Sequence, residues 1–101
     1  MIEVRRTREG DPLAFDVVVR EGGGETRHQV TMTRAVCERL AGGKHAPDLV
    51  IEAAFSFLLD REPKESILAR FDVTVISRYF PEFERELPKY LTAADRRRRT
   101  D

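Results

Sequence analysis

The chain has 101 residues, 41% hydrophobic and 36% charged, which bounds it to one globular domain with a modest core and a heavily charged exterior. Eighteen Lys and Arg balance eighteen Asp and Glu, and both halves of the chain are separately balanced, so neither carries the basic field of a dedicated nucleic-acid binder. The lone Cys37 excludes an internal disulfide and fits a reducing compartment.

Residues 2–9 and 13–20 read as strands. Ile2 and Val4 alternate with Glu3 and Arg5, and Leu13, Phe15, Val17 and Val19 alternate with Ala14, Asp16, Val18 and Arg20. Gly10-Asp11-Pro12 supplies the turn between them. A third strand runs from about Glu25 to Met32 after Gly22-Gly23-Gly24, with Val30 and Met32 on the buried face and His28 directed inward or to the sheet rim. Short connections of this kind join antiparallel neighbours, which predicts a three-stranded meander. Its outer face would carry Glu3, Arg5, Asp16, Arg20, Arg27 and Gln29, so the sheet is one-sided and needs helices on its apolar face.

Thr33 is placed to cap a short helix over Arg34 to Ala41, which Gly42-Gly43 stops. Pro47 opens a helix to about Arg61 in which Asp48, Glu52, Ser56 and Asp60 form a single narrow polar line. A helix this apolar is buried on most sides and is expected at the centre of the fold. Pro63 opens a predicted helical piece, KESILARF, and Asp72 caps another with Val73, Ile76 and Phe80 along one face. Phe83, Leu87, Tyr90 and Leu91 continue at helical spacing, with Pro88 expected to kink or split that helix. Residues 92–101 contain no large apolar side chain and are expected as a charged, disordered tail to a domain spanning residues 1–91.

No constellation carries recognisable catalysis. Cys37 falls on the apolar side of its helix, which favours a structural thiol over a nucleophile. His28, Cys37 and His45 match no common zinc spacing, and Gly22-Gly23-Gly24 lies between strands and before Glu25 rather than ahead of a phosphate-binding helix. The expectation is a non-enzymatic protein without cofactor or metal. Arg96, Arg97, Arg98 and Arg99 form the one charge block, flanked by Asp95 and Asp101. They are the candidate contact for a polyanion, with a solvated tail preferred and nucleic acid the minor alternative.

The stretch Glu62 to Leu87, EPKESILARFDVTVISRYFPEFEREL, places Phe71, Tyr79, Phe80 and Phe83 within thirteen residues, half of the chain's eight aromatics. Core closure explains most of them. Bulky groups crowd the corner at Pro81, however, and aromatics beside Arg78 and Arg85 have the composition of an interaction hot spot. Arg78, Tyr79, Phe80 and Phe83 are therefore the candidate interaction surface, for an unidentified protein or a second copy of the chain.

Residues 52–87, EAAFSFLLDREPKESILARFDVTVISRYFPEFEREL, resemble the C-terminal signature of a family of short conserved bacterial proteins of unknown function. That resemblance implies a bacterial origin and a compatible fold, and assigns no functional residue. The N-terminus lacks the basic and apolar regions of a signal peptide, and the apolar-rich stretch Leu49 to Leu59 is too short to cross a bilayer, so a cytoplasmic protein is expected. The fold class is α+β: a three-stranded antiparallel meander, then four or five helices, with the helix over about 47–61 at the centre. The expected function is a small binding or adaptor protein, dimeric through its aromatic corner; the alternative is a weak nucleic-acid-binding or regulatory protein using the arginine tail.

Overall fold

Period-two alternation makes the first three strands one-faced, and the computed structural model, which describes residues 1–99, shows them as β1 (Ile2–Arg8), β2 (Leu13–Glu21) and β3 (Gly24–Met32). β1 and β2 pair antiparallel with Val4 opposite Val17, and their register shifts between Arg6 and Arg8. β2 and β3 pair antiparallel with Phe15 opposite Val30 and Val17 opposite His28. Their hairpin turns through Gly22 and Gly23, whose φ values of 62° and 80° suit a two-residue turn that L side chains resist at both positions. Leu13, Phe15, Val17, Val19, Val30 and Met32 are buried beneath a helical layer.

Helix α1 (Arg34–Ala41) begins where the Thr33 hydroxyl accepts from the Val36 amide at 3.2 Å. It ends at Gly42, in the left-handed conformation, whose amide donates to the Glu38 carbonyl at 3.0 Å. Arg34 ties this start to the first turn of the sheet, donating to the Glu9 and Gly10 carbonyls, while its own amide donates to Asp11. Helix α2 (Pro47–Leu59) buries Leu49, Val50, Ile51, Ala53, Ala54, Phe55, Phe57 and Leu58, each large side chain worth about 1.5–3 kcal/mol of transfer free energy. It packs against β1 and against the C-terminal helix, the central place its thin polar stripe predicts. Arg6 of β1 fixes its N-terminus by donating to Asp48 at 2.6 and 2.9 Å.

The chain after Pro63 departs from the expected run of helices. KESILARF forms only a 3-10 turn at Lys64–Ser66, and then β4 (Arg70–Asp72) pairs parallel to β3 with Val30 opposite Phe71. The sheet is therefore mixed and four-stranded, in the order β1-β2-β3-β4, rather than a three-stranded meander alone. The reason is local and physical. Phe71 alternates with Arg70 and Asp72, its ring reaches Phe55 at 6.0 Å, and the Gln29 amide finds the Ala69 carbonyl at 2.7 Å. Burying the β3 edge without such partners would leave orphan polar groups.

His28 reinforces this junction from below. One ring nitrogen donates to the Leu68 carbonyl at 2.8 Å, the other meets the Thr26 hydroxyl at 2.9 Å, and the ring packs on Phe55 at 5.3 Å. It is a buried bridge between β3 and the approach to β4, not a strand-edge residue.

Asp72 caps the next turn as its sequence position suggests, accepting from the Thr74 amide at 3.1 Å, and the 3-10 turn Val73–Val75 leads into the short α3 (Ile76–Tyr79). Helix α4 (Phe83–Arg99) then runs on as one element through Pro88. Residues 92–99, expected within a disordered tail, are its last two turns; the remaining two residues of that expected tail lie outside the described residues. The turns hold because Ala94 is fully buried and Arg97 and Arg98 both reach Glu52 of α2, at 3.2 and 3.1 Å. Among the described residues no helix is long and apolar enough to cross a membrane.

Candidate functional site

An open, mainly apolar groove with a volume of about 220 Å³ lies between the end of α2, the approach to β4, and α3. Leu58 and Glu62 come from the α2 end, Ile67, Leu68 and Phe71 from the approach and strand, and Ile76, Tyr79 and Phe80 from the α3 region. Three local devices shape it. The turn at Lys64–Ser66 leads into the approach to β4, the β3–β4 pairing holds Phe71, and Asp72 caps the 3-10 turn that leads into α3.

The candidate aromatics divide between this groove and the core. Phe83 is 1% exposed, stacked edge-on against Phe57 at 5.0 Å, and serves as core. Phe80 is half-buried, with its ring 5.9 Å from Phe57 and part of its surface on the groove. Tyr79 is 68% exposed and stands at the groove margin, and Leu68 beside it is 47% exposed. Arg78 is exposed, and its side chain makes no hydrogen bond or ion pair within the described residues. Of the four residues the sequence offers as an interaction surface, Arg78 and Tyr79 are exposed and Phe80 is half-buried, whereas Phe83 is core, because its ring fills the space against Phe57.

Leu68 and Glu62 are the members that sequence reasoning passes over. A signal exists for Leu68: adjacent Ile67 and Leu68 in an extended approach must face opposite ways, and Ile67 takes the buried side. Glu62 is half-buried, and that burial pushes its carboxyl above the ordinary value; its side chain has no hydrogen bond or ion pair among the described residues. Its neighbour Arg61 differs. That guanidinium lies 3.6 Å over the Phe57 ring, donates to Glu82 at 3.0 Å and to the Phe57 carbonyl at 3.2 Å, and so staples the α2 end to the start of α4.

The remaining candidates are absorbed by structure. Burial pushes the Cys37 thiol upward, which opposes thiolate formation and any nucleophilic role. Both nitrogens of His28 are engaged. Among the described residues no three His, Cys, Asp or Glu side chains gather as a metal site. In the arginine run, Arg97 and Arg98 hold Glu52, Arg99 holds Asp95 at 3.1 Å, and Arg96 is exposed. On the open sheet face Arg5, Arg20 and Arg27 likewise pair with Asp16, Glu3 and Glu25.

In comparison with protein-family models, curated proteins and solved structures, nothing matches the chain.

Proposed function

We propose that the chain is a small non-enzymatic binding domain of the adaptor type, whose groove between α2, β4 and α3 anchors one apolar side chain of a protein partner. The observation that carries this reading is convergence: exposed Leu68 and Tyr79 and the unpaired carboxylate of Glu62 border one apolar groove. Exposed aromatic groups beside a pocket, with a ring of charge around them, are the usual anatomy of a binding hot spot. The volume of about 220 Å³ falls below the roughly 300–1,000 Å³ of typical small-molecule sites, so one side chain is the better occupant. Glu62 then selects for a cationic group next to that side chain, because a carboxylate drawn partly out of water recovers most from a charge partner.

The engaged His28 and the buried Cys37 support a non-catalytic role, and a free buried thiol suits a reducing compartment such as the cytoplasm. A bacterial setting rests on the resemblance of residues 52–87.

The test is a titration of the labelled protein with tyramine, a phenol carrying an ammonium group, followed residue by residue in amide NMR spectra. Shifts should concentrate at Glu62, Leu68, Phe71, Ile76 and Tyr79, and weaken for Glu62→Gln. Shifts scattered over the surface, or absent at saturating probe, would overturn the reading.

A further inference from the structure

The groove and its margin are complementary to each other. Tyr79 stands at the rim with most of its surface in solvent, next to a cavity sized for one side chain. Arg78 precedes it in the same short helix and has no ionic partner among the described residues, and neither does Glu62 inside the groove. Arg61, next to Glu62 in sequence, by contrast pairs with Glu82 at 3.0 Å. The groove therefore offers an unfilled apolar slot, an unhoused aromatic ring and an unpaired acid, and the residue that precedes the ring in the chain is an unpaired base.

We propose that the occupant of the groove is a second copy of this chain, in a two-fold dimer. Tyr79 of each protomer lies across the groove of its partner, and Arg78 of each meets the partner's Glu62. The proposal rests on the groove being a binding site, as argued above. A two-fold interface requires a patch that is its own complement, in which residue i meets residue j and j meets i. Residues 62 and 79 line one groove and 78 adjoins 79 in the chain, so a single two-fold rotation can set each residue against its counterpart. The balanced charge of the chain, 18 cationic against 18 anionic side chains, adds little repulsion between copies. A contact built on two such small grooves and two aromatics is small, so the dimer is reversible and dissociates on dilution.

Sedimentation velocity of the full chain across a concentration series tests this, with Glu62→Arg and Arg78→Glu measured singly and as an equimolar mixture. The wild type should pass reversibly from monomer to dimer. Each single variant places like charges at both reciprocal contacts and should raise the dissociation constant about tenfold or more. The mixture should recover a heterodimer, because opposite charges face again at both contacts. Tyr79→Ala, an exposed change that leaves the core intact, should also weaken association. A wild type that is monomeric throughout, a dimer indifferent to the single charge reversals, or a mixture that does not re-associate would each overturn the proposal. If the wild type stays monomeric while tyramine still shifts the groove resonances, the second copy is refuted and the binding groove stands. If tyramine has no effect either, both readings fall.

Discussion

Phe57 stands where four side chains meet. The rings of Phe80, Phe83 and Tyr90 approach it at 5.9, 5.0 and 5.7 Å, and the Arg61 guanidinium covers its face. Edge-to-face and cation–π contacts each add about 0.5–1.5 kcal/mol beyond simple burial. Phe57→Ala should therefore cost about 3–5 kcal/mol in urea unfolding. A loss below about 1 kcal/mol would show that the aromatic corner is held by something other than this ring.

Two carboxylates of the same region titrate in opposite senses. Burial alone would raise the Asp72 carboxyl, but hydrogen bonds from the Thr31 hydroxyl and from the Thr74 hydroxyl and amide outweigh it and hold the group below its ordinary 3.8. Its contribution to stability is thus complete above that value and is lost as pH falls through the lower folded one. Asp72→Asn should flatten the acid limb of the stability curve. Glu62 is raised above 4.5 by desolvation, so its folded state holds the proton more tightly and ionisation costs stability as pH rises through the folded value. Glu62→Gln should accordingly raise the melting temperature at neutral pH and leave it unchanged below about pH 3.5, where both states carry the proton. Equal effects at both pH values would remove desolvation as the cause.

At the scale of elements, β1 to β3, α1 and the start of α2 are legible because each rests on a strong local signal. Those signals are the alternation around Phe15 and Val17, the paired glycines at 22 and 23, Thr33 ahead of a helix, and Pro47 at the start of another. β4 is hidden because three residues, Arg70-Phe71-Asp72, are too few for a period, and their partner on β3 is far away in sequence. The last turns of α4 are hidden for another reason: they are secured by the small Ala94 and by ion pairs to Glu52, neither of which leaves an apolar periodicity. The groove follows the same logic. Tyr79 is visible as a crowded aromatic, whereas Glu62 and Leu68 join it only after the β3–β4 pairing folds the chain back.

Two substitutions probe α4 as an element. Ala94→Asp places a charge at a fully buried position and should cost about 2–3 kcal/mol, with hydrogen-exchange protection lost from residues 94–99 first. Protection that persists in the variant would mean that these turns are held by something other than the burial of Ala94. Pro88 lies within the helix, where its missing N–H deprives the Glu84 carbonyl of the usual partner. Pro88→Ala should then gain about 1–3 kcal/mol of stability in the same urea assay. A loss instead would mean that the ring of Pro88 fits the bend this helix requires.

As a whole, the molecule lays its helices on one face of the sheet and leaves the other open and charged. Its radius of gyration, 12.6 Å, matches the roughly 13 Å of a closed 100-residue domain, so the core is complete within one chain. The proposed association would thereby be a property of the surface, separable from folding. Tyr79→Ala should leave unfolding free energy within about 0.5 kcal/mol of the wild type while abolishing the tyramine response at the groove. A large destabilisation would mean that Tyr79 belongs to the core after all.

The parallel pairing of β4 also sets an order of events in time. The hairpins of β1 to β3 close over short loops, but Thr31 and Asp72 meet across 41 residues of chain. Distant contacts must spend loop entropy before they return any, so they form after local ones. A newly made chain would thus own its meander before its groove. Pulse-labelled hydrogen exchange during refolding can watch this directly: protection at Val17 should precede protection at Phe71, and simultaneous protection of both would contradict it.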